Sequence, residues 1–274
     1  MSLLALLGIL LASVAIMIAL LTGARRMRPG GWWADPGRAG GVLGAARGPL
    51  AVILAFVIFV GFQRFNAADL SSEREATATR TMYKTAEFFG GFDRRQVHAN
   101  LICYARAVIH LDWPAMQSGG RSERVDDLAA SIDNTLQVLR VRTKLQEGAL
   151  SEMFDEANAR EQARNDRLAD ANNRVPEPVW VVLIAGTLSL LLYTLLFADP
   201  KESLFTQAVM VGSVTVVLIG GLVLIWFLSH PFRDEAGSIR PSAMERSLFE
   251  MENNPVYSDS GLPSRCDRVG RPLF

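Results

Sequence analysis

The sequence has few of the side chains that enzymes use most often for chemistry. Its 274 residues include 3 histidines and 2 cysteines. His98, His110 and His230 have no second ligand at the spacing of a metal site. Neither a G-x-S-x-G nucleophile motif nor a glycine-rich nucleotide loop occurs. We therefore expect neither an enzyme nor a bound cofactor or metal.

A net charge is also missing. Lys and Arg number 28, as do Asp and Glu, and the two signs are interleaved along the chain. Nucleic-acid-binding domains usually carry a clear basic excess, so this class is disfavoured. Period-two alternation and internal repeats are absent too. The fold class predicted from these patterns is all-α.

Long apolar runs are what the sequence does have. Half of its residues are hydrophobic and 20% are charged, so the two kinds must occupy separate segments. Uncharged runs cover residues 3–21, 50–62, 179–197 and 204–228. A span needs about 20 residues, and the second run reaches that length as 44–64 if Arg47 and Arg64 snorkel.

We predict a polytopic membrane protein with four transmembrane helices, at residues 1–22, 44–64, 179–197 and 204–229. A basic loop, 23–43, joins the first two, and a helical soluble insert, 65–178, separates the second from the third. A polar tail occupies 230–274. Within the insert, helical periodicity continues the second span to Phe89, and three more helices follow. The string Asp112-Trp113-Pro114 is expected to break the helical pattern.

A run of phenylalanines three residues apart ends the second span, at Phe56, Phe59, Phe62 and Phe65. Polar residues adjoin its end. Some of the rings could form an apolar constriction in a pore, or all could pack against lipid and neighbouring helices. Four rings three residues apart cannot all face one pore, because each step advances a helix by about 300°. The pore-neck candidates are Phe56, Phe59, Phe62, Gln63, Arg64 and Asn66.

A second basic feature lies at the end of the insert. Arginines recur there at helical spacing, at Arg160, Arg164, Arg167 and Arg174. They could attract anions, because clustered positive charge raises the local anion concentration. They could equally form a solvated face, since Glu156 and Asp170 stand four residues before Arg160 and Arg174.

Cysteine use and charge bear on the membrane orientation. The basic residues of the loop between spans one and two, such as Arg25 and Arg26, place that loop in the cytoplasm by the positive-inside rule. The insert and the tail would then lie outside. Cys103 and Cys266 lie on the same side and could form a disulfide there, although two free thiols are an equal alternative.

Several short motifs resemble those of a known family. FVGFQRFNAAD leaves the second span, CYARAVIHLDWPAM lies in the insert, RNDRLADANNRVPEPVW enters the third span and SHPFRDEAGSIRPSAM leaves the fourth. Together they resemble the bestrophin-like DUF4239 membrane family, which is distantly similar to bestrophins. Those are pentameric anion channels with a central pore lined by the second span. The resemblance implies a homo-oligomer whose second span carries the pore neck. No run of consecutive acidic residues resembles the calcium-binding site of bestrophins.

Two functions are compatible with these observations. The first is an oligomeric anion-conducting channel in the plasma (inner) membrane. The second is a non-conducting scaffold, sensor or accessory subunit, whose insert binds a partner protein while the spans anchor it in the lipid bilayer. A homo-oligomer with a water-filled axis would favour the first. A monomer, or a stoichiometric complex with another protein, would favour the second.

Overall fold

The computed structural model describes residues 3–27, 36–172, 175–196, 203–253 and 266–273. Four of its helices are long and apolar enough to cross a membrane, which confirms the predicted number of spans. These helices are α1 (Leu3–Met27), α2 (Pro36–Thr85), α7 (Glu177–Leu196) and α8 (Leu204–Leu228). Within the described residues no β-strand is present, so the all-α prediction is confirmed as well.

Helix α2 extends beyond the predicted second span at both ends. It starts inside the segment predicted as a loop, contains Pro49, and continues to Thr85. A short 3₁₀ turn, Ala86–Phe88, completes it before Gly90. Its last twenty or so residues hold few apolar side chains apart from those on one face. That amphipathic pattern is typical of a helix that packs one face against a core.

Contacts between Cα atoms divide the chain into two units. The membrane unit comprises Met1–Arg64, Arg174–His230 and Glu235–Gly237, and the helical unit comprises Phe65–Asn173, Pro231–Asp234 and Ser238–Phe274. In the membrane unit α1 and α7 both pack on α8. Apolar side chains such as Leu21, Leu191 and Val211 are buried between the helices.

Glycines allow two of the spans to approach α2 closely. A Cβ added at Gly186 on α7 would lie 2.7 Å from Leu50 Cδ1, and one added at Gly221 on α8 would lie 3.0 Å from Leu54 Cδ2. In lipid, helices associate largely through such close packing, so small residues at these positions matter for assembly.

Among the described residues, the helical unit contains the last part of α2, the 3₁₀ turn and six further helices. They are α3 (Gly91–Ala107), a π-helix (Val108–Asp112), α4 (Trp113–Gln117), α5 (Glu123–Gln137), α6 (Lys144–Asn172) and α9 (Ser242–Asn253). Their apolar faces form one core. The predicted face of α5 is buried there, with Leu128, Ile132 and Leu136 at most 5% exposed; Leu139, also buried, lies just beyond the end of α5.

One local prediction is wrong. The Asp112-Trp113-Pro114 string does not end the helical path, because α3 passes through the π-helix directly into α4. Pro114 fits there at the start of a new helix, where its missing N–H is not needed. The tail also contains a helix, α9, which buries Met244 and Met251 against the core.

Candidate functional site

The membrane part of α2 has two distinct faces. Leu50, Leu54 and Gly61 lie on one side and contact Gly186, Gly221 and Leu228 of α7 and α8. On the opposite side Val52, Phe56 and Phe59 are 69%, 65% and 58% exposed. At 3.6 residues per turn these three and Gln63 fall within about 60° of one another. We call this set, Val52, Phe56, Phe59 and Gln63, the α2 stripe.

Two of the other neck candidates, Phe62 and Arg64, lie away from the stripe, whereas Asn66 is within about 20° of Phe59 around the helix. Phe62 is exposed but sits about 60° further around the helix than Phe59. Arg64 is also exposed, on another side of α2, and Asn66 is exposed one turn beyond Gln63. Phe65, the last ring of the run, packs partly buried against the core of the helical unit. The structure therefore separates the aromatic run into a stripe, an adjacent ring and a core contact.

The arginine stripe of α6 faces the protein interior. Both interpretations of the sequence placed it on a solvent-exposed surface, and the structure differs from both. Arg160, Arg164 and Arg167 are 1%, 7% and 0% exposed. Arg174 lies outside the described residues. The cause is that acidic partners reach these guanidinium groups from other helices.

Glu75 of α2 is the first of these partners. Arg167 Nε and Nη2 donate to the two oxygens of Glu75, at 2.6 and 3.1 Å. The Tyr104 hydroxyl of α3 donates to Glu75 Oε1 at 2.7 Å. Burial, and then the neighbouring carboxylate, raises the pKa of Tyr104, so its hydroxyl remains a donor. A buried carboxylate needs this many donors to offset its lost hydration.

Asp112, at the end of the π-helix, is the second partner. It accepts from Arg164 Nε and Nη2, both at 3.2 Å, and from Arg167 Nη2 at 2.9 Å. The backbone N–H of Ser122 donates to Asp112 Oδ1 at 2.9 Å. Burial acts to raise the pKa of Asp112, but the two arginines outweigh it and hold the pKa below its usual value. Asp112 therefore bridges two arginines as an anion.

Arg160 is less completely paired than its neighbours. Its Nη2 lies 3.4 Å from Asp133 Oδ1, and its guanidinium stacks 4.7 Å from the centre of the Tyr104 ring. Its Nε and Nη1 atoms are buried without a hydrogen-bond partner among the residues that the structure describes. Ordered water commonly satisfies such donors. We call Glu75, Tyr104, Asp112, Arg160, Arg164 and Arg167 the buried charge network.

Glu75, Tyr104 and Asp112 are the network members that the sequence did not reveal. Asp112 had been interpreted as part of a helix end. The sequence carries a weak signal for Glu75, since the small residues Ala68, Ser72 and Thr79 fall on its helix face. The structure buries all three. A carboxylate within a row of small residues is typical of a buried polar contact. The sequence does not show where the partner lies.

Cys103 of α3 and Cys266 of the tail form a disulfide, so the bonded alternative is confirmed. The residues after Cys266 fold back in a turn closed by Asp267, whose backbone N–H donates to Arg271 O at 2.9 Å. Gly270 in this turn has a φ of +85°, a conformation that glycine adopts without strain. The segment 266–273 is thereby held on the helical unit.

Comparison with known proteins gives the family. A family model described as the bestrophin-like domain matches residues 9–244. A search of curated protein sequences finds no match. The chain is similar in structure to three single-residue variants of a bacterial bestrophin homologue from Klebsiella pneumoniae. Their identities are 14%, 17% and 18% and their TM-scores 0.67, 0.68 and 0.67. The alignments cover 89%, 89% and 88% of this chain and 99%, 99% and 97% of those chains.

At these identities the structural likeness shows the fold, and the family model identifies the relationship. The family model matches most of the chain: the whole of the last three candidate spans and all but the start of the first. The chain therefore belongs to the bestrophin-like family and is an integral membrane protein of the bestrophin type.

Proposed function

We propose that the protein is a homo-oligomeric anion channel in which the α2 stripe faces the central axis. The observation that carries this proposal is the division of α2 into a packed face and an exposed apolar face. The packed face is already occupied by α7 and α8. The exposed face needs lipid or further copies of the chain to cover it. Its rings would then form the neck, and Gln63 would form its polar mouth.

Phe56 and Phe59 are the constriction residues in this proposal. Rings on a pore axis restrict permeation by excluding water from a narrow apolar passage. Phe62, outside the stripe, would lie between adjacent copies or against lipid. Arg64 and Asn66 would lie near the mouth. The three arginines of α6 are buried, whereas Arg64 is exposed near the mouth, so we assign the attraction of anions to Arg64.

The proposal includes a location and an orientation. We place the chain in the plasma (inner) membrane, with the helical unit and the tail outside the cytoplasm. The basic loop before α2 supports this orientation by the positive-inside rule. The disulfide supports it too, since disulfides persist in oxidising compartments. Within the family, the motifs favour the DUF4239 group, and the helical unit would be the soluble insert.

Ion flux into sealed liposomes tests the channel. The wild type should conduct chloride more readily than potassium, and Phe56→Ala/Phe59→Ala should raise the flux or alter the selectivity, because the neck widens. Phe205→Ala is the matched control, since Phe205 on α8 is an exposed ring (79%) away from the stripe. Equal flux in the double variant and the control would remove the stripe from the pore.

A scaffold or accessory subunit is the alternative. It is favoured by the internal use of the arginines, which takes their charge away from any conduction path. Purified oligomers that pass no ions, with or without the neck rings, would support it. The helical unit would then be the part that binds a partner protein. A pull-down with the full-length protein as bait would identify that partner.

A further inference from the structure

We propose that the segment 266–273 is a redox-released clasp that holds the junction between α3 and the π-helix, and with it the position of Asp112. We call this segment the clasp. It is held on the helical unit at one covalent point and at two non-covalent ones in a short stretch of α3, with one further hydrogen bond from α5. The inference does not depend on whether the protein conducts ions.

The covalent point is the Cys103–Cys266 bond, which joins positions 163 residues apart in the chain. Both cysteines are nearly fully buried, at 2% and 1% exposure. Bonds between distant positions limit the separation of the two segments even when the intervening chain opens. One helical turn after Cys103 stands Ala107, the last residue of α3.

Gly270 makes the closest non-covalent contact. A Cβ added to it would lie 2.6 Å from the backbone N of Ala107 and 2.7 Å from its Cβ. Only a residue without a side chain can approach a helix backbone so closely. The Gly270 carbonyl also accepts from Arg124 Nε of α5 at 3.2 Å. The turn is therefore wedged between the end of α3 and α5.

Arg106 fixes the other half of the clasp. Its Nη1 donates to Asp267 O at 3.2 Å, and its Nη2 pairs with Glu252 of α9 at 2.7 Å. Cys103, Arg106 and Ala107 thus all bear on the clasp, and the π-helix starts at the next residue, Val108. A π-helix holds one residue more per turn than the neighbouring α-helix and needs support from its surroundings.

Asp112 ends that π-helix and bridges Arg164 and Arg167. Its position along the helix therefore depends on the extra residue being retained. Loss of the clasp would remove the contacts that brace α3 just before the π-helix. The turn could then relax towards α-helical geometry, which would rotate Asp112 away from the arginines.

Reduction is the chemical step that releases the clasp. A dithiol attacks one sulfur and forms a mixed disulfide, and its second thiol then closes on the first. Two electrons and two protons pass to the protein, the S–S bond breaks, and two cysteine thiols form while the dithiol becomes a disulfide. Because both sulfurs are buried, the clasp must lift from α3 before attack.

Gly270→Ala separates docking from bonding, because it leaves both cysteines in place and adds a methyl group against Ala107. Gly237→Ala is the matched control. Gly237 has a similar φ of +88°, but among the described residues its added Cβ would meet only Phe227 Cζ, at 3.4 Å. The two variants thus share the backbone strain and differ in the clash.

Hydrogen exchange of the full chain in lipid nanodiscs is the decisive measurement. After dithiothreitol treatment of the wild type, and in oxidised Gly270→Ala, we expect exchange in residues 104–117 to rise by about tenfold or more. Gly237→Ala should match the wild type. The disulfide of Gly270→Ala should also be reduced faster, as read by maleimide labelling of the released thiols. Faster exchange in the tail alone, with residues 104–117 unchanged, would overturn the proposal.

Discussion

Arg167 of α6 and Glu75 of α2 form a buried, two-point ion pair in the helical unit. The two nitrogen-oxygen distances are 2.6 and 3.1 Å, and the side chains are 0% and 1% exposed. Tyr104 and Asp112 complete the hydrogen bonding of the pair. The guanidinium also lies 5.2 Å from the centre of the Trp113 ring. A pair with this many partners fixes the relative position of four helical segments, α2, α3, the π-helix and α6.

Removing one member of this pair should destabilise the protein strongly. Arg167→Met leaves Glu75 buried without its cation, and we expect a loss of about 3–5 kcal/mol in the free energy of unfolding. Arg80→Met is the control, since the Arg80–Glu250 pair is solvent-exposed and should contribute about 1 kcal/mol or less. Denaturant titration in detergent micelles measures both.

The double variant Glu75→Gln/Arg167→Met sharpens this test. It removes both charges, so it should recover part of the stability lost in Arg167→Met. If the double variant lost more stability than Glu75→Gln and Arg167→Met lose when their separate losses are added, the ion pair would not be the source of the loss in Arg167→Met.

Asp112 should make the stability depend on pH in the acid range. Its pKa in the folded protein is lowered, so its contribution is present above the ordinary carboxyl pKa and is lost as the pH falls through the folded value. We expect the melting temperature of the wild type to drop between about pH 5 and pH 2. Asp112→Asn should reduce the size of that drop, whereas Asp127→Asn, at an exposed position of α5, should leave it unchanged. Identical pH profiles for Asp112→Asn and the wild type would contradict the assignment.

The glycine at the contact between α7 and α2 should be sensitive to size. Gly186→Val adds a side chain that collides with Leu50, because even its Cβ would lie 2.7 Å from Leu50 Cδ1. Overpacking of this kind typically costs about 1–3 kcal/mol. Gly8→Val on α1 is the control, because no atom of the described part of the chain lies within 4 Å of a Cβ added there. Thermal unfolding in detergent should show a lower midpoint for Gly186→Val alone. A similar loss at Gly8 would mean that helix propensity, and not packing, determines the effect.

Membrane orientation can be tested with single introduced thiols. The native cysteines are bonded to each other, so they do not compete for the label. Lys144→Cys, at the exposed start of α6, should react with a membrane-impermeant maleimide in intact cells. Arg26→Cys, at the exposed end of α1, should react only after the cells are permeabilised. The reverse pattern would place the helical unit in the cytoplasm.

Periodicity in the sequence predicted more of the helical unit than of its buried site. Leu128, Ile132 and Leu136 define the buried face of α5 because local apolar spacing and core packing agree there. The arginines of α6 were harder to interpret. Nearby acids such as Glu156 suggested exposed ion pairs along one helix, but the observed partners lie far away in the chain. Glu75 is 92 positions from Arg167, and Asp112 is 55 positions from it.

The sequence by itself determined the four spans and the helical class, and it left open whether Cys103 and Cys266 are bonded. The spans and the class follow from the length of apolar runs and from local periodicity. Only the tertiary structure decided which face of each helix is covered. It buried three arginines, exposed Phe56 and Phe59, and brought Gly270 against Ala107. The physical reason is that burial and ion pairing depend on the distance between atoms from remote segments, and that distance is set only when the helices pack.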